Sequence, residues 1–264
     1  MPKNYVLLPI AHGVELKQIQ ADYAEPLIDL IRSYLSDDEK NYLVPLPYNY
    51  TLKTHDRQLE MFNSVEAGLG NKELRRLKHT VGSDVTWSFI TAKDSGDCFY
   101  RDFSNDMTNL IGNARVKYNG PKILCLGHSQ GTQLFYSFFF DYHKIIDCFI
   151  SLGSPISMNS GAYPDFGKVP SNLSSWINFY HDKDFISSRL QGVHPAKAVA
   201  DFVVDYEVPK GWNPIYYIPD NIMGFNSFIL SSLFNSFKAH TAYWKSKFVA
   251  KKIADKVKEL MYQP

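Results

Sequence analysis

The sequence predicts a three-layer α/β fold, with a mostly parallel central sheet and helices on both faces. Short runs rich in β-branched and aromatic residues alternate with longer segments of helical period. Most of the short runs are apolar throughout, as strands buried on both faces are. The chain has 264 residues, 45% of them apolar, which is enough to build a substantial core.

Six runs read as strands: residues 5–10, 42–46, 122–126, 145–152, 176–180 and 202–208. Between the first two, residues 15–35 carry Leu16, Ile19, Tyr23, Leu27, Leu30, Ile31 and Tyr34 at spacings of three and four. That is one face of a helix, which Pro26 kinks or splits. Residues 99–116 and 130–142 are the next helices. The last, 242–261, places Trp244, Phe248, Ile253, Val257 and Leu260 on one stripe. Its lysines, among them Lys247, Lys251 and Lys258, read as a solvated face.

Three connections are long: 49–96, which must hold some helix, 154–175, rich in Ser, Pro and Gly, and 209–238, between the last strand and the final helix. No repeat or flexible linker divides the chain, so 1–264 reads as a single domain.

Charge and cysteine content narrow the function. With 28 Lys+Arg against 27 Asp+Glu, the net charge of +1 exerts no long-range pull on phosphate backbones, and nucleic acid is not an expected partner. Cys98, Cys125 and Cys148 cannot pair completely and show no C-x-x-C spacing. A disulfide framework and a structural zinc site are therefore not expected, whereas reduced thiols in a cytoplasm are. The apolar run at 5–10 is too short for a signal-peptide core. The longest apolar stretches, 134–152 and 222–237, are interrupted before the ~20 residues a membrane helix needs, so no integral membrane segment is expected.

The strongest chemical signal is Gly127-His128-Ser129-Gln130-Gly131, preceded by a strand and followed by a helix. G-x-S-x-G in that context puts the serine on a tight strand-to-helix turn, where glycines at 127 and 131 remove side chains that would clash. A serine hydroxyl is a weak nucleophile until a histidine takes its proton, and the histidine needs a carboxylate to hold its tautomer. The expected chain order is Ser, acid, His. Asp182 and Asp184 both follow the strand at 176–180. Asp184 is favoured because it precedes the apolar pair Phe185-Ile186, and Asp182 is the fallback. Of the histidines that follow, His194 precedes the last strand, whereas His240 stands beyond it and is the expected base. The oxyanion donors are expected to be the backbone amides of Gln130 and, after the His12-Gly13 that ends the first strand, of Val14.

Together these residues resemble the α/β-hydrolase superfamily, and within it the lipase-like serine esterases. The matching pieces are His12-Gly13, the G-x-S-x-G pentapeptide, Leu152-Gly153-Ser154-Pro155, the Asp184 loop, and His240 with Tyr243-Trp244. The resemblance implies hydrolysis of a small-molecule acyl ester through an acyl-serine, with Ser129 as nucleophile, His240 as general acid and base and Asp184 as its partner. No metal or organic cofactor is implied. Thioesterases, amidases and acyltransferases use the same machinery, and a catalytically silent binding protein could keep the fold. Gln130 stands where many lipases carry leucine, and no Gly-rich oxyanion loop follows Gly13. The insertion at 209–238, with Phe228 and Phe234, reads either as a lid or acyl-chain wall or as a helix packed permanently on the core.

Overall fold

A computed structural model of the chain describes residues 2–12, 22–48, 98–156, 167–184, 187, 189–192, 196–209 and 239–264. The expected long connection at 49–96, Val14, His194, the first part of the expected helix at 15–35, and residues 210–238 of the expected insertion lie outside the described residues.

Among the described residues six strands form one sheet: β1 (Val6–Ala11), β2 (Leu43–Pro47), β3 (Lys122–His128), β4 (Cys148–Leu152), β5 (Trp176–Tyr180) and β6 (Val203–Glu207). Their order is β2-β1-β3-β4-β5-β6 and every pairing is parallel. The expectation of a mostly parallel sheet is met by an entirely parallel one. β1 and β4 are buried along their whole length, whereas β2 and β6, at the two edges, are half-exposed.

Side-chain alternation along each strand sorts two cores. Leu7 and Ala11 of β1, with Ile123 and Cys125 of β3, face the helices α3 (Cys98–Lys117) and α4 (Gln130–Asp141). There Phe103, Met107 and Ile111 pack with Phe135, Phe138 and Phe139. Val6, Leu8 and Ile10, with Leu124 and Leu126, face the other way onto α1 (Glu25–Ser33) and α6 (Lys247–Tyr262). Each such fully buried Leu, Ile or Phe contributes about 1.5–3 kcal/mol of transfer free energy. Helices therefore cover both faces. No helix among the described residues is long and apolar enough to cross a membrane.

Local chemistry explains where the elements begin. Pro26 lies in the first turn of α1, where its missing N–H costs nothing, so it starts this helix instead of kinking it. Ser36 and Glu39 form a reciprocal capping box on the short α2 (Asp37–Lys40), an element that the hydrophobic periodicity does not announce. Ser246 accepts from Val249 N and caps α6, which splits the expected helix at 242–261 into a 3₁₀ turn, Ala242–Lys245, and α6 itself. The expected strand at 145–152 shortens to β4, because Ile145 is exposed and Ile146 makes only a single bridge to Leu173. Phe202, expected to open a strand, instead ends the short helix α5 (Lys197–Phe202).

A polar relay crosses β4, β5 and β6. Trp176 Nε1 donates to Ser151 Oγ (2.9 Å), Ser151 to Asn178 Oδ1 (2.8 Å), and Asn178 Nδ2 to Asp205 Oδ1 (2.9 Å). The second Asp205 oxygen accepts the main-chain N–H groups of Leu190 and Gln191, each at 2.8 Å. The donors run in one direction and end on a carboxylate, so every member is satisfied.

Candidate active site

In this parallel sheet the direction of winding reverses between β1 and β3, the place where open α/β sheets leave a crevice at the strand ends. His12 follows β1 and Ser129 follows β3, so the two flank it.

Ser129 has φ 52° and ψ −127°. The other non-glycine residue with positive φ among the described residues, Asn119, sits in an ordinary turn before Gly120. Asparagine tolerates that region; serine held at this φ and ψ stores strain on the order of 1–3 kcal/mol. Although Ser129 precedes α4, its hydroxyl makes no capping bond to that helix. Its N–H donates to Leu152 O (2.9 Å), which ties the turn to the end of β4.

Both motif glycines are required by contact. A Cβ on Gly127 would stand 2.7 Å from Thr132 Cα, and one on Gly131 would stand 2.2 Å from Ala11 O and 2.6 Å from Ala11 C. The first lets the chain fold back on itself, and the second lets α4 start against β1. Gln130 is the first residue of α4, whose opening N–H groups point out of the helix start and favour a negative charge there.

Asp184 and His240 meet. His240 Nδ1 lies 2.9 Å from Asp184 Oδ2, with side chains 6% and 0% exposed. Because the carboxylate only accepts, Nδ1 carries the proton and Nε2 of the neutral ring keeps its lone pair. Asp182, the fallback, lies beside His181. Its Oδ1 lies 3.1 Å from His181 Nδ1, a nitrogen that also accepts from Lys183 N (3.0 Å).

Ser129 is joined to the pair through its neighbours. The His128 ring lies 4.8 Å from that of His240, and His128 Nε2 donates to the main-chain carbonyl of His240 (2.7 Å). His128 Nδ1 is buried and has no hydrogen-bond partner among the described residues. Burial, then the neighbouring His240 and His12, hold this imidazole well below its ordinary pKa, so it stays neutral. His12 stacks on Trp244 at 5.3 Å and meets the His128 ring at 4.8 Å. Tyr23 donates to Ile10 O (2.9 Å) and fixes the end of β1 beneath His12.

Two contributors carry no role that the sequence alone assigns. Gly153 has φ +57°, and a Cβ there would stand 3.0 Å from His240 Nδ1 and 3.1 Å from Asp184 Oδ2. Tyr243 donates its hydroxyl to Asp184 Oδ2 (2.9 Å). Burial and the adjacent carboxylate push that phenol well above its ordinary pKa, so it stays protonated. The signal for Gly153 is a glycine just past a strand end; Tyr243 resembles any aromatic on an amphipathic stripe.

Among the described residues, no group of three or more His, Cys, Asp or Glu is arranged to hold a metal ion. Compared with known proteins, the chain matches no family model and no curated protein, so the case for its function rests on this geometry.

Proposed function

We propose that the chain is a serine hydrolase of the α/β-hydrolase type, cleaving small-molecule carboxylic esters through an acyl-serine. The observation that carries this reading is the strained, non-capping Ser129 at a strand-to-helix turn, whose neighbour His128 bonds the main chain of His240 in the buried Asp184–His240 pair. Strain of that size in an L-residue persists where the position of its side chain matters more than the stability lost.

In the proposed reaction Ser129 Oγ attacks the acyl carbon and its proton passes to His240 Nε2. Asp184 stabilises the imidazolium through Nδ1–H. The carbonyl oxygen becomes an oxyanion facing the start of α4, with Gln130 N–H as donor and Val14 as the second donor proposed from sequence. The intermediate collapses, His240 returns the proton to the leaving alkoxide, and the alcohol departs. Water then attacks the acyl-serine, giving a proton to His240; the second tetrahedral intermediate collapses, His240 returns that proton to Ser129 Oγ, and the carboxylic acid leaves. The free, buried thiols Cys125 and Cys148 fit a reducing compartment, and we propose the cytoplasm.

The test is labelling with a serine-reactive fluorophosphonate, alongside hydrolysis of an ester panel of graded acyl length. The expected result is one label per chain, lost in Ser129→Ala. An unlabelled wild-type chain, or a labelled Ser129→Ala chain, would refute the reading.

A further inference from the structure

We infer that Tyr243 is a positioning residue for the acid–base pair: its phenol holds the carboxylate oxygen that orients His240 and takes a share of that oxygen's charge. The inference deepens the hydrolase reading and rests on it for its catalytic meaning, although its geometry stands apart.

Asp184 Oδ2 accepts two donors at the same distance, His240 Nδ1 and Tyr243 OH, each at 2.9 Å. Tyr243 is 1% exposed, so water does not substitute for the phenol. Ser187 Oγ lies 3.0 Å from the phenolic oxygen and within 3.4 Å of Asp184 O, which locks the ring and the loop together. The ring edge also lies at Gly153, where a Cβ would stand 2.9 Å from Tyr243 Cε2. Two donors on one oxygen divide its charge. With the phenol gone, more of that charge faces His240, the imidazolium is stabilised further, and the ring protonates at higher pH.

Asp184 is a carboxylate in direct contact with the base. His12 comes from the end of β1, neutral His128 from β3, and His181 with Asp182 from the loop after β5, where Asp182 Oδ1 lies 3.1 Å from His181 Nδ1. None of these changes in a variant that removes only the phenolic oxygen.

The experiment is an NMR titration of the His240 imidazole in the full chain, with kcat/KM against pH measured in parallel. Tyr243→Phe is expected to move the His240 midpoint upward by about half a pH unit, a roughly threefold change in proton affinity. The acid limb of kcat/KM should move with it, and kcat should fall about tenfold with KM nearly unchanged. Replacing Tyr243 by a ring-fluorinated tyrosine, a stronger donor of the same shape, is expected to move the midpoint downward, and this arm decides if the phenylalanine variant does not fold. A midpoint that stays in place would overturn the inference and leave Tyr243 a packing residue. The titration decides this whether or not any ester is cleaved, so a failure of fluorophosphonate labelling counts against the hydrolase reading alone.

Discussion

Replacing Gly131 by alanine tests how tightly the turn is built. The new Cβ would lie 2.2 Å from Ala11 O, 2.6 Å from Ala11 C and 3.0 Å from His12 O, where ordinary contact begins near 3.4 Å. β1 and α4 would therefore have to part by about 1 Å. Neither yields easily. Ala11 is held in register with Gly127, the adjoining Ile10 carbonyl is held by Tyr23, and α4 is buried from Gln130 to Phe139. The cost belongs at the upper end of overpacking, about 3 kcal/mol. At about 2–4 °C per kcal/mol for a chain of this size, Tm should fall by roughly 6–12 °C. Gly112→Ala is the matched control. Among the described residues nothing lies within 4 Å of its Cβ position in α3, so the substitution should stabilise by about 0.5–1 kcal/mol through helix propensity alone. Calorimetry and urea titration of both variants read the contrast. A Gly131→Ala chain that unfolds within a degree of wild type would refute the reasoning.

Ser129→Gly relieves the strained backbone and should raise Tm by about 2–4 °C while abolishing fluorophosphonate labelling; a lower Tm would show that the turn stores no strain. His128 is held neutral when folded, so below its ordinary value of 6.5 the unfolded chain binds one proton more. Its contribution is intact above that pH and is lost as pH falls, by roughly 1 kcal/mol per pH unit. His128→Gln, which keeps a donor for the His240 carbonyl, should lose roughly 1 kcal/mol less than wild type between about pH 7.5 and about pH 5.5 in urea titrations. Equal losses would contradict the assignment.

What the sequence disclosed and what it concealed divide along the range of the interactions. The strand at 176–180 matches β5 residue for residue, because its apolar run is bounded by serines on one side and by a His-Asp turn on the other. At 145–152 the isoleucines signal strand, yet Ile145 finds no partner strand, a fact set by the length of its neighbours. α5 is six residues long, too short for a helical period to declare itself. In the site, the serine turn is legible because its glycines and serine are adjacent, and the Asp184–His240 pairing follows from chain order. Tyr243 and Gly153 stand in pieces that carry the resemblance, but their roles are not legible, because one is defined by a bond across 59 positions and the other by its φ and the atoms around it.

The relay from Trp176 to Asp205 extends the stability of the sheet into a loop. Leu190 and Gln191 belong to no regular element, yet both amides end on a carboxylate that is 5% exposed and anchored through Asn178 to the next strand. Their hydrogens can exchange with deuterium only when β6 lifts from β5 or Asp205 lets go. These two loop amides are thus slow clocks for the breathing of the sheet's edge.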